Sequence, residues 1–398
     1  MRLCYTAARS LHTQTPMPTI LSIFGTRPEA IKLAPVIREL KERELKGREP
    51  ARRSNGVVSK VCVTAQHRQM LDQVLSLFEI APDYDLNLMS ENQTPTQVAA
   101  AALVKLEPVF AAARPDWVVV QGDTTTVAAA AFGAYMARIK VAHVEAGLRT
   151  HDKWSPFPEE INRRIAGVVT DLHFAPTALA RQNLLNEGVP ESQVFVTGNT
   201  VIDALLWAAG RPFDLRTLPL DPAVWESPGK KMILVTAHRR ESFGEPFNQI
   251  CRGLRELALS GNGAWEIVYP VHLNPNVQEP VNRILKGTPH VHLLPPVEYL
   301  PLVHLMKRSY LVLTDSGGIQ EEAPSLGKPV LVLREVTERP EGVEAGTARV
   351  VGTDAARIVS EARRLLTDRA AYDQMAHAVN PYGDGHAASR IVDRLLIV

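Results

Sequence analysis

Two carboxylates fall where an apolar run gives way to a polar turn, and a third opens a helix. They are Asp123 in Gly122-Asp123-Thr124-Thr125-Thr126, Glu145 in His143-Val144-Glu145-Ala146-Gly147, and Glu159 in Pro158-Glu159-Glu160-Ile161. Carboxyl groups move protons near neutral pH once burial or a neighbouring charge retunes them. Glu145 lies two residues past His143, on the same strand face in an otherwise apolar setting, where a charge is costly unless paired or used. Taken singly, each has an ordinary structural reading. Asp123 suits the cap of the helix that follows, and Glu159 with Arg163, four residues on, suits a surface ion pair.

A second set of groups suits an anion. Gly25-Thr26-Arg27-Pro28-Glu29-Ala30-Ile31-Lys32 puts a turn glycine, a first-turn proline and two cations at a helix start, where backbone amides and the helix dipole favour negative charge. In the second half, Thr236-Ala237-His238-Arg239-Arg240 and Pro270-Val271-His272 end two apolar runs. Thr314-Asp315-Ser316-Gly317-Gly318 ends a third and opens a helix carrying Gln320, Glu321 and Glu322. A Ser-Gly-Gly turn offers bare amides to a phosphate, and Glu322 is placed to take a ribose diol. Two histidines, two arginines and a glycine turn converging there point to a nucleotide-diphosphate ligand. No GxGxxG follows a strand and no GxxxxGK[ST] occurs, so neither dinucleotide nor P-loop chemistry is indicated.

These groups need elements to position them. Apolar runs at Ile20–Phe24, Val57–Val63, Trp117–Val120, Val141–Val144, Leu172–Phe174 and Val194–Val196 alternate with helix-period segments. Examples are Pro28–Lys41, Arg68–Phe78, Thr96–Ala113, Thr124–Ala137 and Thr177–Glu187. A second series, Met232–Val235, Ile267–Tyr269, Val291–Leu294, Leu311–Leu313 and Val330–Leu333, alternates with helices at Pro246–Leu259, Asn276–Leu285 and Gly318–Leu326. That alternation predicts parallel βαβ units. Gly210–Lys230 holds four prolines and neither period, so it reads as an interdomain connection. The expected architecture is α/β, with two Rossmann-like doubly wound domains facing a central cleft. Their expected bounds are residues 20–209 and 230–384, with a linker at 210–229. Ligands in such sheets sit outside the carboxyl ends of the strands.

Composition agrees with this picture. The 398 residues suit two or three domains, at ~150 residues each. With 45% apolar and 22% charged residues, the mix is that of a globular enzyme. Lys+Arg number 44 against 43 acids, a net charge of +1, so neither nucleic acid nor an anionic membrane is an expected partner. The longest uninterrupted apolar stretch, Val127–Ala137, falls well short of the ~20 residues of a bilayer span. Three scattered cysteines without a CxxC imply a reducing, cytoplasmic setting. Residues 1–19, acid-free with two prolines, read as a disordered extension, with Met17 a sensible alternative start.

Nine runs, in order, resemble the bacterial UDP-N-acetylglucosamine 2-epimerases. They are FGTRPEAIK (24–32), TAQHRQMLDQVL (64–75), GDTTT (122–126), HVEAGLRT (143–150), SPFPEEINR (155–163), TAHRRESFGEP (236–246), YPVHLNP (269–275), TDSGGIQEEAPSLGKP (314–329) and TERPEGVEAGT (337–347). The resemblance spans both halves, from about Ile20 to the carboxyl terminus. It implies the two-domain fold shared with GT-B glycosyltransferases, a homodimer, and a final helix (about 385–398) crossing back to the first domain. It also implies reversible inversion at C2 between UDP-GlcNAc and UDP-ManNAc, through loss of UDP to 2-acetamidoglucal and its re-addition. That chemistry needs acid–base carboxylates and cations for the leaving pyrophosphate, but no redox cofactor and no metal. By resemblance, Asp123, Glu145 and Glu159 move protons or position the sugar, and His238 stabilises the departing phosphate. Arg27, Lys32, Arg163 and Arg339 contact phosphate or sugar. Ser316, Gly317, Gly318 and Glu322 hold the diphosphate and ribose, and Val297 and Leu302 flank the uracil.

Some members bind a second UDP-GlcNAc as activator through positions matching Gln66, Gln69, Arg239 and His272, with an arginine where this chain has Asn92. Losing that guanidinium would cost a charge-assisted contact of about 1.5–3 kcal/mol. Rival readings are a hydrolysing epimerase that releases ManNAc and UDP, a GT-B glycosyltransferase, and a non-catalytic UDP-sugar sensor.

Overall fold

The computed structural model describes residues 17–47, 56–65, 68–89 and 93–397. Residues 1–16 of the expected extension, Gln66, Asn92 and the side chain of Gln69 lie outside the described residues. The first sheet is built from β1 (Thr19–Phe24), β2 (Val58–Val63), β3 (Tyr84–Asp85), β4 (Trp117–Gln121), β5 (Lys140–Val144), β6 (Leu172–Ala175) and β7 (Val194–Val196). Its spatial order is β3-β2-β1-β4-β5-β6-β7, all parallel. The second contains β8 (Lys231–Thr236), β9 (Trp265–Pro270), β10 (Val291–Leu294), β11 (Leu311–Thr314), β12 (Val330–Val332) and β13 (Ala348–Val350). Its order is β10-β9-β8-β11-β12-β13, again parallel.

Both orders reverse at one point, between β1 and β4 in the first sheet and between β8 and β11 in the second. Crossover helices run to opposite sides there, and the strand ends open a crevice. The central strands are continuous apolar runs because helices cover both faces. Ile20 and Phe24 of β1 face one buried layer, with Leu33 and Ile37 of helix Arg27–Gly47. Leu21 and Ile23 face the other, with Leu106 and Phe110 of helix Pro95–Ala113. Each fully buried Leu, Ile or Phe contributes roughly 1.5–3 kcal/mol.

Differences from expectation have local causes. The edge strands β3 and β13 have two and three residues, too few to show a period. The expected helix Pro28–Lys41 runs on to Gly47. Gly318–Leu326 divides into helix Gly317–Glu322 and a 3₁₀ turn Ala323–Leu326, because Pro324 has no N–H for a continued ladder. The proline-rich stretch Gly210–Lys230 is anchored, since Leu220, Val224 and Trp225 are buried among Met232, Leu234 and Val268 of the second sheet.

Helix Pro95–Ala113 is long and apolar enough to cross a membrane by composition, although it carries Lys105 and Glu107. A capping box opens it: Thr94 Oγ1 accepts from Gln97 N at 3.2 Å, and Gln97 Oε1 from Thr94 N at 2.8 Å. Its apolar face packs on the first sheet, which is the behaviour of a core helix.

The last helix, Ala387–Ile397, crosses back. Ile391, Val392 and Leu395 enter the first core, and the Asp203 carboxylate accepts from the amides of Ala387 (3.3 Å) and Ala388 (2.9 Å).

Candidate functional site

The turns after β1, β4 and β5 bring the first-domain candidates together. Lys32 Nζ lies 2.6 Å from Glu145 Oε1. The Gln121 side-chain amide donates to Glu145 Oε2, and Asn199 Nδ2 donates to Oε1 at 3.1 Å. Glu145 is buried. Burial alone would raise its pKa, but Lys32 and then Arg339 outweigh it and hold the carboxyl below its usual range. The same-face argument from His143 does not hold, because β5 stops at Val144 and Glu145 takes a left-handed backbone, φ +63°. A non-glycine residue there carries strain of roughly 1–3 kcal/mol, a pattern that clusters at functional sites. His143 instead bonds the Gly122 carbonyl through Nε2 at 2.7 Å, and burial lowers its pKa to about 4.

Asp123 is not the helix cap. Thr124 caps helix Thr125–Met136, its hydroxyl accepting from Val127 N at 3.3 Å. Asp123 is gripped by Arg163, whose Nε (3.0 Å) and Nη2 (2.7 Å) both donate to Oδ2. The expected Glu159–Arg163 surface pair is also replaced. Arg163 is buried and its remaining arm donates to Glu160 Oε2 at 3.2 Å. Glu160, fully buried, accepts from the amides of Thr150 and His151 as well. Glu159 Oε2 is buried with no hydrogen-bond partner among the described residues.

Across the cleft, Asp315 is fully buried and accepts from the amides of His238 (2.6 Å) and Arg239 (2.7 Å). This fixes the turn after β8. Burial lowers the His238 pKa, opposed by Asp315 and reinforced by His272, Arg239 and Arg27. The rings of His238 and His272 stack at 5.1 Å and 10°. Two guanidiniums approach the glycine turn: a Cβ on Gly317 would lie 3.6 Å from Arg339 Cζ and 3.9 Å from Arg239 Nη2. Ser316 starts helix Gly317–Glu322, its N–H donating to Thr314 Oγ1 at 2.9 Å. Glu322 accepts from the Tyr299 hydroxyl at 2.6 Å, and burial pushes its pKa up to about 7. Val297 and Leu302 are partly buried against a second-domain cluster that includes Leu294, Leu305, Ile319 and Ala323. Arg27 opens its helix at the end of β1.

The structure thus gathers Lys32, Asp123, Glu145 and Arg163 on one lip, and His238, Arg239, His272, Gly317 and Arg339 on the other. It gives Lys32, Arg163 and Arg339 carboxylate partners, Arg339 pairing with Glu321. The sequence reading did not single out Gln121, Asn199, Tyr299 or the partner role of Glu321. The Gly198-Asn199-Thr200 turn after β7 was the available signal, being one more polar turn at a strand end.

Two parallel doubly wound sheets, with polar turns from both reversal points meeting in one cleft, define a two-domain α/β protein of the GT-B-like class. The family profile described as UDP-N-acetylglucosamine 2-epimerase matches residues 50–396. A UDP-N-acetylglucosamine 2-epimerase of Escherichia coli O157:H7 is 55% identical over 379 residues, covering 94% of this chain and 98% of that protein. The crystal structure of the Neisseria meningitidis UDP-GlcNAc 2-epimerase bound to UDP-GlcNAc matches with a TM-score of 0.84 at 48% identity, covering 96% of this chain and all of that one. The Staphylococcus aureus MnaA–UDP structure matches at 0.83 and 46% identity, over 95% of this chain and 96% of that one. The chain belongs to the UDP-N-acetylglucosamine 2-epimerase family.

Proposed function

We propose that this chain interconverts UDP-GlcNAc and UDP-ManNAc by inverting C2 without releasing the sugar, supplying ManNAc units for a cell-surface polysaccharide from the cytoplasm. The single observation that carries the reading is the buried Glu145 paired with Lys32 at 2.6 Å, together with a glycine turn at Gly317 flanked by Arg239 and Arg339. The C2 proton of an acetamido sugar has no adjacent carbonyl to acidify it. Expelling UDP across C1–C2 to give 2-acetamidoglucal avoids a free carbanion, and re-addition after protonation of the other face completes the inversion. Glu145, held ionised, suits proton removal or charge stabilisation. Glu159, with an unpartnered buried oxygen, and Asp123, of which Arg163 takes only Oδ2, suit proton transfer and sugar positioning. His238, Arg27 and Arg339 with the Ser316–Gly318 amides suit the departing diphosphate. Glu322 suits the ribose, and Val297 and Leu302 the uracil side.

Arg239 and His272, with Gln66 and Gln69, form the proposed site for an activating second UDP-GlcNAc. The stacking of His272 on His238 supports a link between that site and the reaction centre. An absent lag with UDP-ManNAc alone would count against it.

We assign the partner as a second copy of this chain. Phe132, Tyr135 and Met136 on helix Thr125–Met136, and Ile161, Ile165 and Val168 on the adjacent helix Glu159–Val169, are exposed stripes at helical spacing. Contiguous apolar surface of this kind marks an interface. Turnover of UDP-GlcNAc by the purified protein, with no cofactor added, tests the activity. UDP-ManNAc is the expected product, and free ManNAc with UDP would favour the hydrolysing reaction.

A further inference from the structure

Asn199 caps helix Thr200–Ala209, and its side chain does more than cap. Its Oδ1 accepts from Val201 N at 3.1 Å, which fixes the amide with its nitrogen turned the other way. That nitrogen donates to Glu145 Oε1 at 3.1 Å and to Glu321 Oε2 at 2.9 Å. Glu145 lies in the turn just after β5 of the first domain, whereas Glu321 lies on helix Gly317–Glu322 of the second. The Asn199 backbone N–H donates to the Tyr382 carbonyl at 2.7 Å. All three side chains are buried. One neutral amide thus joins two carboxylates of opposite domains, each with its own cation, Lys32 on Glu145 and Arg339 on Glu321.

We propose that Asn199 is a positioning residue that holds the Glu145 carboxylate in its reactive orientation only while the second domain is seated, sensing that domain through Glu321. The inference rests on the epimerase reading. An amide is suited to the task, because it offers two N–H donors to two anions while its oxygen is occupied. If the second domain moves away, Glu321 and Arg339 leave together. Glu145 then keeps Lys32 but loses the Arg339 field and the ordering of Asn199. The charged and titratable groups facing Glu145 are Lys32, His143, Glu321 and Arg339. Removing a donor to an ionised carboxylate raises its pKa, so the acid limb of the rate profile must move to higher pH.

Asn199→Ser separates the two roles of the residue. Serine caps helices as well as asparagine does, but it is too short to reach both carboxylates. The proposal expects a thermal transition close to that of the parent protein and a KM for UDP-GlcNAc within about threefold. It expects kcat lower by roughly 10- to 100-fold, the loss typical of one charge-assisted hydrogen bond, with the acid limb moved up in pH. Asn199→Asp, isosteric and also a cap, replaces the donor by a third carboxylate and should lower kcat further. Asn199→Ser with parental kcat and an unmoved acid limb would overturn the proposal while leaving the epimerase reading intact. A parent protein that does not epimerise UDP-GlcNAc removes both.

Discussion

Lys32 Nζ sits 2.6 Å from Glu145 Oε1, joining the helix after β1 to the turn after β5 across the reversal point of the first sheet. The Lys32 pKa is raised, Glu145 and Glu321 overcoming the opposing effect of burial, while that of Glu145 is lowered. Both shifts favour the ion pair. A carboxylate with a depressed folded pKa adds stability above its unfolded pKa, and that stability is lost as pH falls through the folded value. Lys32→Met leaves Glu145 buried with the field of Arg339 still acting on it. Breaking a buried pair from one side costs about 3–5 kcal/mol. Denaturant unfolding at pH 7 should show a loss of that order, and the acid limb of kcat/KM should rise. Unchanged stability and an unmoved limb would mean the pair contributes neither.

Glu145→Gln keeps the shape and the Gln121 neighbour but removes the charge. The epimerase reading expects turnover to fall by several orders of magnitude, with UDP still binding by calorimetry. Because Lys32 loses its partner, Lys32 should also titrate at lower pH in this variant. Retained turnover would refute the role proposed for Glu145.

Much of this was legible because polar residues at strand ends stand out against apolar runs. The alternation of Trp117–Val120 with Thr124–Ala137, and of Val141–Val144 with later helix-period segments, is strong enough to fix parallel βαβ order. Partner choice was not legible. By spacing Arg163 pairs with Glu159, four residues away, and only the crossing of helix Glu159–Val169 over the β4 turn turns it to Asp123 and Glu160 instead. The alternation argument misplaced Glu145 because a single left-handed residue ends the strand period. Asn199 meets Glu321 only through the packing of two domains 122 residues apart in sequence at that contact, which no local pattern encodes.

Glu322 sets up a pH dependence of stability. Burial raises its pKa from 4.5 to about 7, although the Tyr299 hydrogen bond opposes this. An acid raised in the folded state contributes stability that is present below its unfolded pKa and lost as pH rises through the folded one. Unfolding free energy of the second domain should therefore decline between about pH 4.5 and pH 7. In Glu322→Gln that component should vanish, as read by denaturant titrations at several pH values. A parallel decline in both proteins would assign it elsewhere.

The exposed stripes on helices Thr125–Met136 and Glu159–Val169 set up a test of assembly. The second helix presents Ile161, Ile165 and Val168 outward while Asn162 and Arg163 reach inward to Asp123. Ile165→Asp with Phe132→Asp should convert a dimer into a monomer in sedimentation velocity runs, and should weaken turnover through the shared helix. A parent protein that sediments as a monomer would remove the second copy as the partner.

The central claim is inversion at C2 with UDP retained at equilibrium. Incubation with UDP-GlcNAc in D₂O, followed by proton NMR of the anomeric and C2 signals, tests it most directly. The account predicts UDP-ManNAc carrying deuterium at C2, with UDP still attached to the sugar at equilibrium. Free ManNAc with stoichiometric UDP, or substrate left unchanged and unlabelled, would contradict it.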